Sequence, residues 1–256
     1  MKRLLFILIC LIYITAAKAQ LLYDSIHAPT VLLEMFSSEG CSSCPSGDKF
    51  MQQIIHLADS AEQPVFVLDY HVDIWDHAGW KDRYSDSIWT KRQRTYMERT
   101  RQPALFTPML VINGKYSVPA GDKKLVGGLI SHTLKTRIPV RMDIMAEPIS
   151  GLNKGIKVNY ALQGRFDSTQ LVIVLAHKEV TSDVTAGENA GQKLVHHHVV
   201  KKLESIPIAS SQGSYDFYLD DETYKNLGNY LVMVFLQHRN SWRVYATEQI
   251  NFGKGN

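Results

Sequence analysis

Cys41-Ser42-Ser43-Cys44 stands between two segments of different periodicity, and that position constrains the chain more than any other feature. Before it runs Val31-Leu32-Leu33-Glu34-Met35-Phe36, with the composition of a buried strand. After it, beginning near Pro45, Phe50, Met51, Ile54, Ile55 and Ala58 recur on one face at helical spacing. The pair therefore belongs at a strand-to-helix junction. The first turn of a helix has unpaired N–H groups and the positive end of the macrodipole, and both favour a thiolate. A cysteine placed there can fall from a pKa of about 8.5 to roughly 3.5–7.5. Thiolate is the attacking species in disulfide exchange, which makes Cys41 the candidate nucleophile and Cys44, one turn in, the resolving thiol. The same string also fits a permanent disulfide closing a small loop. Structural zinc is disfavoured because no second C-x-x-C exists.

Residues 1–19 read as a secretion signal. Lys2-Arg3 is a basic start, Leu4 to Ile14 is too short an apolar stretch to span a membrane, and Ala17-Lys18-Ala19 is a cleavage pattern. Cys10 leaves with that segment, so a chain starting at Gln20 keeps only Cys41 and Cys44. The expected location is exported, periplasmic or secreted, with no membrane span after cleavage. There two cysteines pair unless something reduces them. Lys2, Arg3 and Lys18 are three of 28 basic residues, set against 25 acidic ones, so cleavage takes the formal charge from +3 to zero. A neutral chain offers no bulk argument for nucleic acid as a partner.

Residues 20–29 form an N-terminal extension. Residues 30–138 alternate strand and helix signals. Pro64 to Tyr70 reads as a second buried strand, 86–101 as a second helix, and Met109–Ile112 and Lys115–Val118 as a hairpin about Asn113-Gly114. Asp122 is a suitable N-cap for a last helix. The order β-α-β-α-β-β-α predicts an α/β thioredoxin-like core. Residues 139–256 carry short β-rich runs separated by Gly, Asn and Asp, which predicts an all-β, sandwich-like C-terminal domain.

Two further places bear on chemistry. Thr107-Pro108 precedes the third strand, opposite the C-x-x-C in such a core. There a cis proline turns the Thr107 backbone toward an extended substrate, while base rates favour an ordinary trans proline. The loop from His71 to Asp82 leaves the carboxyl end of the strand neighbouring the one that feeds Cys41, the edge where open α/β sheets gather ligands. His71 and Asp73, with Trp75 beside them, are candidates for tuning the thiols. Cys41, Cys44 and His71 together also fit a soft metal such as copper. The bland reading of the loop is packing by its tryptophans.

Several long strings resemble an exported thioredoxin-like family catalogued as a domain of unknown function, number 1223. They are Glu34–Asp48, His71–Asp82, Arg92–Tyr96 and Thr107–Gly114, followed by Gly187–Leu194 with His197, Val199 and Val200. Ser46 stands where that family commonly has proline, and His198 where it commonly has asparagine. The resemblance implies a thioredoxin-like fold and a cell-envelope location, and supplies no activity.

The remaining signals are weaker. In His196-His197-His198 a strand would point His197 away from its neighbours, which disfavours a metal site. Lys91, Arg92, Arg94, Arg99 and Arg101 read as a solvated basic helix face. The expected function is thiol–disulfide exchange through Cys41–Cys44, with no diffusible cofactor. Its partners would be protein thiols or disulfides of the envelope and a redox protein that recycles the pair. The rivals are a copper-binding or metallochaperone protein and a non-catalytic binding module with a fixed disulfide.

Overall fold

Seven buried residues form the first strand, β1 (Val31–Ser37), which has no exposed face and must be covered on both sides. The computed structural model describes residues 29–253; the secretion signal expected at residues 1–19 lies outside them. β1 feeds α1 (Cys44–Ser60), β2 (Val65–His71), a 3-10 turn (Asp73–Trp75), α2 (Ser87–Arg99), the hairpin β3 (Met109–Ile112) and β4 (Tyr116–Pro119), and α3 (Lys123–Thr133). Then come β5 (Val140–Ile149), β6 (Gly155–Gly164), β7 (Thr169–Asp183), β8 (Lys193–Pro207), β9 (Gln212–Tyr218), α4 (Asp221–Lys225), β10 (Tyr230–His238) and β11 (Val244–Asn251). The Asn113-Gly114 turn forms as expected, both residues taking positive φ, and Asp122 caps α3 by accepting from the Leu125 N–H.

The strands assemble into one mixed eight-stranded sheet in the order β11-β10-β7-β8-β2-β1-β3-β4, and a second sheet in the order β5-β6-β9. The expected thioredoxin-like core followed by an all-β C-terminal domain is therefore corrected. β8 joins the free edge of β2 in parallel at Asp69 and Val199, and the sheet runs without a break across both halves of the chain. The reason lies in β7, where Leu171 to Ala176 are all fully buried. A strand apolar on both faces needs cover on both.

One face carries Leu32, Phe36, Leu68 and Tyr70 from the first half beside Val172, Val174, Leu231, Met233 and Phe235 from the second, with Trp89 and Tyr96 of α2 packed on them. On the opposite face Leu171, Ile173 and Leu175 meet Val140, Ile156, Val158 and Phe217 of the small sheet. Farther along that face Leu33 and Met35 meet Met51 and Ile54 of α1 and Val126 of α3.

Polar groups lock the seam. Arg92 is not on a solvated face: it is 8 % exposed, and its Nε donates to Glu34 Oε2 at 2.7 Å. Tyr96 Oη donates to Glu34 Oε1, and Gln237 Nε2 of β10 donates to Tyr96 Oη at 2.9 Å. The guanidinium lies within 5.1–5.8 Å of the ring centroids of Tyr70, Tyr96, Phe235 and Trp242. Burial opposes the Arg92 charge, and the Glu34 carboxylate more than restores it, holding the guanidinium above its usual range.

Candidate functional site

The turn Ser38–Ser43 leaves the carboxyl end of β1 and enters α1 at Cys44, with Pro45 in the first helical turn, where a missing N–H is harmless. Cys41 and Cys44 form a disulfide with a Cα–Cα distance of 5.4 Å. Both are buried, at 2 % and 1 % exposure. The cover comes from far along the chain. Asn189, between β7 and β8, donates from Nδ2 to the carbonyl oxygens of Glu39 and Cys41 at 2.8 and 3.0 Å. Glu188 Oε2 accepts the Ser42 N–H at 3.1 Å.

The Thr107-Pro108 peptide bond is cis. Ser43 Oγ lies 3.4 Å from Cys41 Sγ and donates to the Thr107 carbonyl at 3.3 Å, so Thr107 stands against the C-x-x-C turn. Pro108 stands against α1: a Cβ on Gly47 would lie 3.1 Å from Pro108 Cβ and Cγ. Trp75 closes the same side. Its Nε1 donates to Thr107 Oγ1 at 2.8 Å, and a Cβ on Gly40 would lie 2.9 Å from Trp75 Cβ. Trp75, Thr107 and the cysteine turn thus come together.

His71 and Asp73 do not. β2 ends at His71 and the chain tightens into a 3-10 turn, which breaks the alternation that would have kept them on one side. Asp73 Oδ1 accepts from Thr90 Oγ1 of α2 at 2.6 Å. His71 turns inward instead, fully buried, with Nδ1 2.7 Å from Asp82 Oδ2 and Nε2 3.3 Å from Asp69 Oδ2. Asp69 Oδ1 accepts from Ser37 Oγ at 2.7 Å. His196 of β8 packs edge-on to His71 with ring centroids 4.7 Å apart, its Nδ1 3.1 Å from Asp48 Oδ2 and its Nε2 3.7 Å from Glu39 Oε1. Glu39 Oε2 accepts from Trp80 Nε1 at 2.7 Å.

Burial disfavours charge on His71, but the carboxylates of Asp82 and Asp69 overcome it and hold the imidazole well above the ordinary range. Burial works the same way on His196, where Asp48 and Glu39 prevail and raise it to about 9. On Asp48 burial wins over the neighbouring imidazoles and pushes the carboxyl up. On Asp82 burial loses to His71 and to the N–H groups of Glu39 and Tyr84, so that carboxyl falls.

Glu39, Asp48, Asp69, Asp82, His196 and Asn189 are the residues that sequence reasoning missed here. The visible signals were the His196-His197-His198 run and the Gly187–Leu194 string. The three histidines separate because His198 takes φ 55°, which breaks the pleat: His198 Nδ1 meets the Val67 carbonyl at 3.0 Å while His196 enters the cluster. The cysteines are bonded to each other. His71 groups with Asp69 and His196 rather than with sulfur.

Residues 32–237 match the family described as Protein of unknown function (DUF1223), and the chain belongs to that family. No curated protein sequence matches. Among solved structures, the fold is similar to that of protein AGR_C_4864 from Agrobacterium tumefaciens, with a TM-score of 0.69 at 21 % identity, over 90 % of this chain and 97 % of that one. It is also similar to HBP35 of Porphyromonas gingivalis, with a TM-score of 0.62 at 14 % identity, over 88 % of this chain and 76 % of that one. Identities this low speak to fold alone. Among the described residues no helix is long and apolar enough to cross a membrane.

Proposed function

We propose that this member of the family performs thiol–disulfide exchange through Cys41 and Cys44 in an exported, periplasmic or secreted setting. The observation that carries the reading is the disulfide between residues three apart at the start of a 17-residue helix, against the Thr107 carbonyl. A bond closing so short a loop adds little entropic stability, and the helix start stabilises the thiolate left when it opens. The export argument is the Lys2-Arg3 start, the apolar run and the Ala17-Lys18-Ala19 pattern.

The exchange balances without a diffusible cofactor. A substrate thiolate attacks Cys41 Sγ, the Cys41–Cys44 bond breaks, and Cys44 leaves as a thiolate. A second substrate thiolate attacks the substrate sulfur of the mixed disulfide and releases Cys41. Two electrons pass to the pair and the substrate gains a disulfide; starting from the reduced pair, the same steps run backward. Thr107 supplies a backbone edge for an extended substrate, and Trp75 fixes that edge. Because both sulfurs are buried, the Glu188–Asn189 segment must lift before a protein substrate reaches them.

Equilibration of the purified chain in glutathione buffers tests the reading. The expected potential lies within roughly −270 to −120 mV, and a value below about −300 mV with no exchange would make the bond purely structural. Cys44→Ser should accumulate mixed disulfides when its Cys41 thiolate attacks protein disulfides and displaces one substrate thiolate, and Cys41→Ser should not.

A further inference from the structure

Behind the disulfide lie four buried carboxyl groups and two buried imidazoles. Glu39, Asp48, Asp69 and Asp82 supply the carboxyls, His71 and His196 the rings, and every one of them is buried. Among the described residues no lysine or arginine forms an ion pair with any of the four. Buried carboxylates are costly unless a cation or a full set of hydrogen bonds compensates them. Here the hydrogen bonds are incomplete: His71 Nε2 and both ring nitrogens of His196 lack a hydrogen-bond partner, as do Glu39 Oε1 and Asp48 Oδ1. His71 Nε2 stands 3.3 Å from Asp69 Oδ2, His196 Nδ1 3.1 Å from Asp48 Oδ2 and His196 Nε2 3.7 Å from Glu39 Oε1, each without the alignment of donor to acceptor that a hydrogen bond requires.

We propose that Asp69, His71 and His196 bind one divalent ion of the zinc class, through Asp69 Oδ2, His71 Nε2 and one imidazole nitrogen of His196. The three donor atoms lie within 4.8 Å of one another. Ligands at about 2.0–2.1 Å from a tetrahedral ion stand about 3.3 Å apart. Asp69 Oδ2 and His71 Nε2 already stand 3.3 Å apart, unaligned as a hydrogen bond. Two imidazoles and a carboxylate are a borderline donor set that suits zinc rather than calcium or magnesium.

The outer contacts are those such a site needs. A metal-bound histidine holds its other nitrogen against a carboxylate, which fixes the tautomer and the ring. His71 Nδ1 meets Asp82 Oδ2 at 2.7 Å. Asp82 is itself held by the N–H groups of Glu39 and Tyr84, at 2.8 and 2.9 Å. Asp69 Oδ1 is held by Ser37 Oγ, leaving Oδ2 free for the ion. Whichever nitrogen of His196 turns to the ion, Asp48 or Glu39 stands by the other. The ion enters during folding or when the Glu188–Asn189 cover lifts. The site uses neither cysteine, so it stands independently of the exchange reading.

The test is calorimetric titration of zinc into the chelator-stripped chain with Cys41–Cys44 oxidised. One equivalent should bind and raise the melting temperature. Cobalt in place of zinc should give the visible bands of a nitrogen- and oxygen-ligated ion, without a thiolate charge-transfer band. The double variant Cys41→Ser/Cys44→Ser should keep the binding while losing all exchange. Asp82→Asn should weaken zinc by about 10–100-fold, and Asp69→Asn and His196→Gln by more. Absence of stoichiometric binding to the wild-type chain overturns the proposal. So does binding that survives Asp69→Asn and His196→Gln together, or binding that appears only after reduction.

Discussion

Asn189 Nδ2 donates to the carbonyl oxygen of Cys41 at 3.0 Å, so a residue 148 positions downstream clamps the turn that carries the disulfide. The same amide holds the Glu39 carbonyl, and Gln192 Nε2 donates to Asn189 Oδ1 at 3.1 Å, keeping the side chain in place. Access to the sulfurs is thus set by contacts between the two halves of the chain.

Asn189→Ala should speed reduction of the disulfide by dithiothreitol. Two hydrogen bonds of about 1 kcal/mol each correspond to roughly ten- to thirtyfold in the population of the opened segment. Pseudo-first-order reduction rates below the melting temperature are the measurement. An unchanged rate would mean that the cover does not limit access.

Glu34 and Arg92 form the buried pair at the seam. Arg92→Met should destabilise the fold by about 3–5 kcal/mol, because it leaves the Glu34 carboxylate buried and unpaired. Glu34→Gln should cost a similar amount from the other side. The double variant should cost less than the sum of the two, a coupling that urea denaturation of all four proteins measures.

Gly47 and Gly127 make a controlled pair. Both sit inside helices, where alanine gains about 1 kcal/mol of propensity over glycine. At Gly127 of α3 nothing lies within 4 Å of an added Cβ, so Gly127→Ala should stabilise by up to that amount. At Gly47 the Cβ would press on Pro108 at 3.1 Å, and overpacking of about 1–3 kcal/mol cancels or reverses the gain. Gly47→Val should lose several kcal/mol more. Thermal unfolding ranks the three variants.

His177 sits between the rings of Tyr84 and Tyr230, at 5.8 and 4.6 Å. Burial, helped by Lys201, depresses its imidazole to about 4. An unfolded histidine titrates at about 6.5, so between these values the unfolded chain binds a proton that the folded chain does not. Stability therefore falls as pH drops from about 6.5 toward 4, and His177→Gln should flatten that slope by up to about one proton. Denaturant titrations at intervals from pH 4 to 7 measure it. An identical slope in the variant would place the acid sensitivity elsewhere.

What the sequence determined by itself is local. The apolar run ending at Phe36, the helical face from Phe50 to Ala58, the Asn113-Gly114 turn and the Asp122 cap each depend on neighbours a few residues apart. Sequence spacing reports such relations directly. The strand-to-helix position of Cys41 and Cys44 was legible for the same reason. What only the tertiary structure decided is which distant strands share an edge. A strand buried on both faces looks the same whether it closes a small domain or extends a neighbour's sheet. The pairing of Asp69 with Val199 therefore had no local signature, and neither did the single eight-stranded sheet that follows from it. The polar cluster behind the disulfide depends on that pairing. It draws Asp48 from α1, Asp69 and His71 from β2, and His196 from β8, and only the β2–β8 contact brings the two imidazole rings within 4.7 Å. His71 was visible as a candidate, but its partners were not, because the energy that selects them comes from burying both halves together.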